Sequence, residues 1–532
     1  MNKDRVKTLL TLVILILGLV VGYKFGQRSA TTISIPEGGN KLDAILDYAQ
    51  RNYVDSISIP DLVEKAIPEV LAQLDPFSVY ISAKAMDDVN ESLQGNFDGI
   101  GITFNMATDT IMVINAITGG PSERVGIQAG DRIIKVDDLL VAGVKYPQDS
   151  VVKMLRGKAG TTVKVDVMRV GVKNLIPFTI TRAQIPIKSV DVAYMVNENT
   201  GYIKMSKFSS NTHKEFVNAI DRLHGEGMTK VIVDLRDNSG GYLDQANKIA
   251  NEFLPKDAMI VYTEGRARKR RDYRSTGRGR CLNDEVIIII NEFSASASEI
   301  LAGAIQDNDR GTIVGRRSYG KGLVQEQHSF SDGSGFRLTI AHYYTPTGRS
   351  IQRPYDKGND DYFLDIMRRY EHKEFEEADS IPVNDSLRYE TPKGKIVYGG
   401  GGIVPDVFVP IDTTSVTSYF KELVGKNLIY SFAMNFVDKH RAELNGIKTL
   451  PALKQLFTKY NLLSDFQAYA SSSGVLPKGN ELNESKDIIL AQLKAFIGRS
   501  TPLDDEGFYP FIAIIDSTMQ KASELAKKGG SE

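Results

Sequence analysis

The sequence predicts a multidomain α+β protein: an α/β layered core over residues 186–412, a β-rich module before it over 95–185, and helical regions at both ends. Three observations predict this. Strand-like and helix-like segments alternate through the core, from "TGYIKMSKF" and "NTHKEFVNAIDRLHGEG" to "EVIIIINEF" and "SASEILAGAIQDN". Short β segments such as "GIGITFN", "TIMVINAI" and "TTVKVDVMRV" crowd residues 95–185. Outside these two units, apolar residues recur at threes and fours, the helical spacing. With 42% hydrophobic and 25% charged residues, the 532-residue chain has ordinary globular composition and enough length for several cores.

The elements follow in order. Lys3, Arg5 and Lys7 precede an uncharged apolar run, "TLLTLVILILGLVVGY" (8–23), and Lys24 and Arg28 follow it. The run is short beside the roughly 20 residues of a usual membrane span. No small-residue cleavage site comes after it, so an uncleaved signal anchor over residues 1–29 is favoured over a cleaved signal peptide. The basic end would stay in the cytoplasm, and the remainder is exported in either case. A helical N-terminal region spans 30–94; it opens on a tether, "ATTISIPEGGN" (30–40), and continues with "KLDAILDYAQRNYV" and "IPDLVEKAIPEVLAQL". In the β-rich module "GGPSERVG" and "YPQDSVVKMLRG" read as short helices. Within the core, a densely charged stretch at 356–397 reads as an insertion or surface helical excursion. Residues 413–532 are helical and more polar, punctuated by Pro451, Pro477 and Pro502.

Composition also excludes function classes. Lys and Arg total 65 against 66 Asp and Glu, so no global field points to nucleic acid. The arginine-dense "GRARKRRDYRSTGRGR" (265–280) reads as a solvated loop whose Asp272 and Tyr273 pair locally, rather than as a nucleic-acid patch. The single cysteine, Cys281, permits no disulfide framework, and the six histidines show no metal-ligand spacing. No metal and no cofactor are expected.

One stretch raises a question of chemistry. In "NEFSASASEILAGA", Ser294, Ser296 and Ser298 sit where the buried strand Val286–Ile290 gives way to a helix. A serine there is an ordinary helix cap. It can also be a nucleophile, because the free N–H groups of a helix N-terminus favour developing negative charge. A nucleophilic hydroxyl needs a base. His328 and His342 lie in strand-like stretches without an evident acidic orienter. Lys321, in "SYGKGLVQEQ", is flanked by Gly320 and Gly322 just after the strand 311–315, which should lie beside 286–290. A lysine serves as base when burial or nearby positive charge lowers its pKa.

These residues resemble the carboxy-terminal processing proteases, serine peptidases with a Ser–Lys dyad. The likeness is carried by "SASASEILAGAIQDNDRGTIVGRRSYGKGLVQ", "VIVDLRDNSGGYLDQA", "YYTPTGRSIQ", "GGIVPDV" and "LDPFSVYIS", and covers about residues 40–412. It implies a crotonase-like α/β protease core, with Ser296 as nucleophile, Lys321 as general base and Gln325 supporting the lysine. Ser294 and Ser298 become supporting residues at the helix start. The resemblance also implies an oxyanion hole from the Ala297 N–H and that of Gly240 or Gly241, a choice the sequence leaves open.

"GNFDGIGITF" followed by "GGPSERVGIQAGDRIIKVDD" is similar to a PDZ domain. In such a module the loop Gly99, Ile100, Gly101, Ile102 would leave N–H groups free for a peptide's terminal carboxylate. Val151, Val152 and Met154 would line an apolar pocket for its last side chain. The expected function is therefore a serine endopeptidase that recognises and cleaves protein C-terminal tails with apolar ends. The expected place is the bacterial cell envelope: anchored in the inner membrane with the catalytic part in the periplasm, or released there if the signal is cleaved. The helical ends offer surfaces for a homo-oligomer or an adaptor protein. The alternative is a catalytically silent PDZ scaffold on a crotonase-like core.

Overall fold

The computed structural model describes residues 3–26, 40–106, 109–117 and 119–528. The tether expected over 30–40 lies, but for Asn40, outside the described residues. The chain divides into two units, Met1–Leu71 and Ala72–Glu532.

The first unit holds the helix Lys3–Gly26, whose described side chains run from Val6 to Val21 and are all exposed. Among the described residues no helix is long and apolar enough to cross a membrane. The anchor expected over residues 1–29, with its apolar run at 8–23, extends past the side chains described here. The helix Lys41–Asn52 follows, capped by Asn40 Oδ1, which accepts the N–H groups of Leu42 and Asp43. The helix Ile59–Ala72 completes the segment.

The second unit is built on a six-stranded sheet in the order Val190–Met195, Thr200–Met205, Lys230–Asp234, Glu285–Ile290, Thr312–Gly315 and Val407–Phe408. The first pair is antiparallel and the others parallel. Ile287 registers with Thr312 and Ile290 with Gly315, so the strand before the serines lies beside the strand before Lys321, as the sequence reading required. The run of isoleucines has a plain cause. Val286, Ile288 and Ile290 enter the layer formed with the helices Thr212–Gly225, Leu243–Asn251 and Ala297–Asp307, while Ile287 and Ile289 enter the layer on the opposite face. A strand buried on both faces carries no polar alternation.

That opposite face is covered by Met519, Ala522 and Ala526 of the last helix, Ser517–Lys528. The C-terminal region is helical, as its spacing predicts, and its end is also part of the α/β core. Arg236 ties it down, bridging Asp234 of the sheet and Asp516, each at 2.6 Å. A second, five-stranded sheet joins Val79–Ile81, Gly335–Tyr344, Met259–Glu264 and Arg271–Arg274, with Leu323–Ser329 paired to Gly335–Tyr344.

The β module has its own core, around Ile111, Ile133, Val165 and Ile180. Its two connections, Asn96–Gly99 and Ala183–Pro186, pair with each other as an antiparallel ribbon. The ribbon's foot packs on the loop after Met205. A Cβ on Gly95 would lie 2.8 Å from Ser209 Oγ, and Ser210 N–H donates to Leu93 O at 3.1 Å. The module also docks on the C-terminal helices. Arg132 pairs with Asp438 at 2.5 Å, Arg441 donates to Ala129 O at 2.9 Å, and Met112 joins the core of the C-terminal helical region.

The stretch 356–397, expected as an insertion or a surface helical excursion, holds a helix and is mostly exposed, yet it also reaches inward. Its helix Asn359–Glu371 is anchored by buried charge: Glu374 accepts from Arg317 and Arg369, and Arg369 also donates to the carbonyls of Arg317 and Ser318. Tyr362 donates to Gly320 O and meets Phe77 edge-on at 5.4 Å. The dense charge of this segment therefore serves interior pairing behind the lysine loop as well as solvation. The basic run 265–280 is paired at its surface, with Arg270 on Asp272 and over the Tyr262 ring, Arg268 on Glu326 and Arg280 on Asp221.

Candidate active site

Ser296 stands at the end of the central strand, one residue before the helix Ala297–Asp307. Its backbone is held at φ 55° and ψ −112°, a conformation L-residues rarely adopt. A non-glycine residue in such a region stores about 1–3 kcal/mol, which the surrounding structure must over-determine. The neighbouring serines do that. Ser294 Oγ donates to Leu235 O and accepts from Asn291 N–H, and Ser298 Oγ donates to Asn238 O. Both are fully buried and pin the helix start to the turn 235–238. Ser296 is the member of the trio that lines a cavity.

That cavity, of about 640 Å³, brings together Ser296, Lys321 and Gln325 with Gly240 and Gly241. His328 and His342 do not line it; both lie on the hairpin strands Leu323–Ser329 and Gly335–Tyr344. Lys321 Nζ donates to Gln325 Oε1 at 3.1 Å, and Gln325 Nε2 donates to Phe77 O at 2.6 Å. The amine lies 4.3 Å from the centre of the Phe77 ring. Burial first, and the nearby Arg337 guanidinium second, bring the Lys321 pKa down to about 8 against the opposing pull of Asp75 and Glu299. In this arrangement the amine's hydrogen bond goes to Gln325 and not to the Ser296 hydroxyl.

The glycine pair divides its work. The N–H of Gly240 is taken by Asn238 Oδ1 at 2.9 Å. Its φ is 101°, and a Cβ there would lie 2.8 Å from Ser296 Cβ and 2.9 Å from Ala297 N. Gly240 is thus the residue that lets the turn close on the serine. Gly241 bridges to Phe208, and among the described residues neither its N–H nor that of Ala297 donates to a protein acceptor. Unpaired N–H donors of this kind are what an oxyanion site requires.

The sequence reading missed Glu299. Fully buried, it accepts from Ser296 N–H and Lys321 N–H on Oε2 and from Ser318 Oγ and Gly320 N–H on Oε1. Burial raises its pKa against the pull of these donors. The signal was present as Ser296-x-x-Glu299, a capping-box spacing.

In the β module the loop residues Gly99, Ile100, Gly101 and Ile102 join the ribbon to the strand Ile102–Asn105, with Gly101 at φ 73°. The three expected pocket residues do not form one wall. Val151 is fully buried in the module's core and Met154 packs against that core, whereas Val152 lines a separate cavity with Asp88, Glu91 and Arg156. Consecutive helical residues diverge by about 100°. One cluster that spacing could not reveal is His224, Cys281 and Asp284, whose ligand atoms lie within 4.8 Å of one another. His224 is paired with Asp284 at 2.8 Å, and burial pushes the Cys281 thiol up, against the thiolate a metal would need.

Comparison with known proteins finds matches over most of the chain. Residues 199–357 match the model of peptidase family S41, residues 99–177 that of the PDZ domain, and residues 419–501 a family of unknown function, DUF8443. The chain is 37% identical over 335 residues to a carboxy-terminal-processing protease of Bartonella bacilliformis, covering 61% of this chain and 76% of that one. It is 32% identical over 332 residues to the carboxy-terminal processing protease CtpA of Bacillus subtilis, covering 62% and 69%. Among solved structures, a photosystem II D1 C-terminal processing protease matches at 25% identity and a TM-score of 0.35, covering 69% of this chain and 92% of that one.

Proposed function

Because the chain belongs to the carboxy-terminal processing protease family and is a serine peptidase, we propose that it cleaves protein C-terminal tails with Ser296 as nucleophile and Lys321 as general base. One observation carries this reading: a single cavity holds a strained serine at a helix start and a lysine whose pKa is brought down to about 8. The neutral amine takes the Ser296 proton as Oγ attacks the scissile carbonyl carbon. The oxyanion that forms is received by the N–H groups of Ala297 and Gly241. As the intermediate collapses, the Lys321 ammonium returns its proton to the leaving amine, and the acyl group stays on Ser296. A water, deprotonated by the same amine, then releases it. Gln325 holds the lysine, and Gly240 permits the close turn. The PDZ domain supplies the tail, which adds as a strand beside Ile102–Asn105 with its terminal carboxylate at Gly99–Ile102. The two-sheet, helix-covered core is read as crotonase-like.

The test is purified protein with tail peptides, read by mass spectrometry. Ser296→Ala and Lys321→Ala are each expected to abolish cleavage with an unchanged circular dichroism spectrum. Lys321→Arg is expected to fail as well, since a guanidinium stays charged. Cleavage that survives Ser296→Ala would sink the assignment. A wild-type protein that binds tails and cuts none would favour the silent scaffold.

The proposed place is the cell envelope, with the N-terminal helix as anchor. Support comes from the uncharged run Leu9–Val21, whose exposed side chains are apolar but for Thr11. Membrane fractionation of the full chain, compared with a chain lacking residues 1–29, tests it: recovery of the full chain in the soluble fraction would refute it. Self-association or an adaptor at the helical ends is the last part of the reading. Light scattering and pull-down from envelope extracts test it, and a monomer without partners would remove it.

A further inference from the structure

We propose that Arg337 forms an anion subsite in the catalytic cavity that receives a carboxylate of the bound peptide, either the free C-terminus of a short tail or an Asp or Glu side chain. The inference rests on the reading of this cavity as the peptidase site and adds the substrate chemistry it selects.

The placement follows from register. Arg337 lies on the strand Gly335–Tyr344 opposite Gln327, and Gln325 lies opposite Thr339 on the same hairpin. Alternation puts Gln325, Gln327 and Arg337 on one face of the pleat. All three line the cavity that holds Ser296 and Lys321. The guanidinium is therefore beside the reacting groups and open to whatever fills the space.

Its bonding is incomplete. A guanidinium carries five N–H donors. Arg337 places one hydrogen bond in the protein, from Nη2 to Gln327 Oε1 at 3.0 Å, and among the described residues no carboxylate pairs with it. By contrast, the buried Arg317 and Arg369 are matched to Glu374 and the buried Arg349 to Asp307, and the half-buried Arg236 is matched to Asp234 and Asp516. The nearby Asp75 is already committed, accepting from Phe77 N–H, Ser78 N–H, Ser78 Oγ and Thr339 Oγ1. Asp244, also on the cavity wall, pairs with Lys248. Burial works against the Arg337 charge; Tyr242 opposes this, and among the described residues no carboxylate compensates it. A carboxylate arriving with the substrate would, through the fork geometry that binds it in two places.

The experiment uses the full chain and three peptides of one sequence: a free C-terminal acid, the C-terminal amide, and the amide with one Gln after the scissile bond replaced by Glu. Wild type is expected to cleave at least one anionic peptide about tenfold better than the neutral amide in kcat/KM, mostly through KM, as one charge-assisted contact predicts. Arg337→Gln should erase the difference and Arg337→Lys should keep part of it. Preference for the acid alone assigns the terminal carboxylate, and preference for the Glu amide alone assigns a side chain. Equal wild-type rates on all three peptides would overturn the subsite. So would a preference that survives Arg337→Gln, because the discrimination would then belong to the PDZ domain. Ser296-dependent turnover of the neutral amide reports the peptidase reading separately. If no peptide is cleaved, that reading fails with the subsite; if the amide is cleaved and the charges do not matter, the subsite alone fails.

Discussion

The backbone N–H groups of Ser296 and Lys321 converge on one oxygen, Glu299 Oε2, at 2.8 and 2.9 Å. The nucleophile turn and the base loop are thus fastened to the same buried carboxylate. Its other oxygen holds Ser318 and Gly320, so four donors depend on it.

Glu299→Gln is therefore expected to cost far more than its near-identical shape implies. An amide offers one acceptor oxygen and turns an NH₂ toward two of the four donors. A loss of about 2–3 kcal/mol in stability is expected, with kcat falling by at least tenfold and KM little changed. Denaturant melts and steady-state kinetics check both parts. Wild-type kcat in a folded Glu299→Gln protein would remove the positioning role.

Lys321 sets the pH dependence. With a pKa near 8, the amine gains its neutral form as pH rises, so kcat/KM should climb through about pH 8 and level above it. The stability sign follows from the same shift. Below pH 8 both folded and unfolded lysine are charged, and the folded state carries the full burial penalty. Between about 8 and 10.5 the folded form alone sheds its proton and stability rises; above 10.5 both are neutral and the penalty is gone. Lys321→Met should thus stabilise the protein at pH 7 by about 3 kcal/mol, with the gain vanishing by pH 11. Melting curves of wild type and variant across pH 6–11 measure it, and a constant difference would count against a displaced pKa.

The Ser296 backbone makes a separate claim. Glycine relieves the strain at φ 55°, so Ser296→Gly should be about 1–2 kcal/mol more stable than Ser296→Ala while both are inactive. Chemical denaturation of the two variants decides it. Equal stability would mean the turn stores no strain.

The PDZ domain is expected to be coupled to the C-terminal helices through Arg132 and Asp438, whose side chains are about one-fifth exposed. A double-mutant cycle with Arg132→Ala and Asp438→Ala should show a coupling of about 1–2 kcal/mol. Hydrogen exchange should rise in the module's Arg132–Val136 strand when either partner is removed. Additive effects would show the pair to be incidental. The contact gives residues 419–501, matched to a family without a known function, a place in this chain.

Much of the site was readable in the sequence because it depends on local grammar. An apolar strand, small residues and a serine-rich helix start announce the nucleophile turn, and glycines flanking Lys321 announce a tight loop. The parts that were not readable rest on partners far apart in the chain. Glu374 looks like one more charge in a charged segment until Arg317 and Arg369 close around it. The last helix looks like a polar tail, and only the sheet shows why Met519, Ala522 and Ala526 share a face. The choice between Gly240 and Gly241 turned on a side chain, Asn238, whose claim on one N–H has no sequence signature.

The ribbon of Asn96–Gly99 and Ala183–Pro186 limits how the peptide-capturing module can travel. Because the two strands are paired with each other, any displacement of the module would carry both connections together. The pair is seated beside the cavity of Ser296, where Leu93 forms part of the wall and Ser209 sits under Gly95. A displacement that unseated it would reshape that cavity in the same stroke.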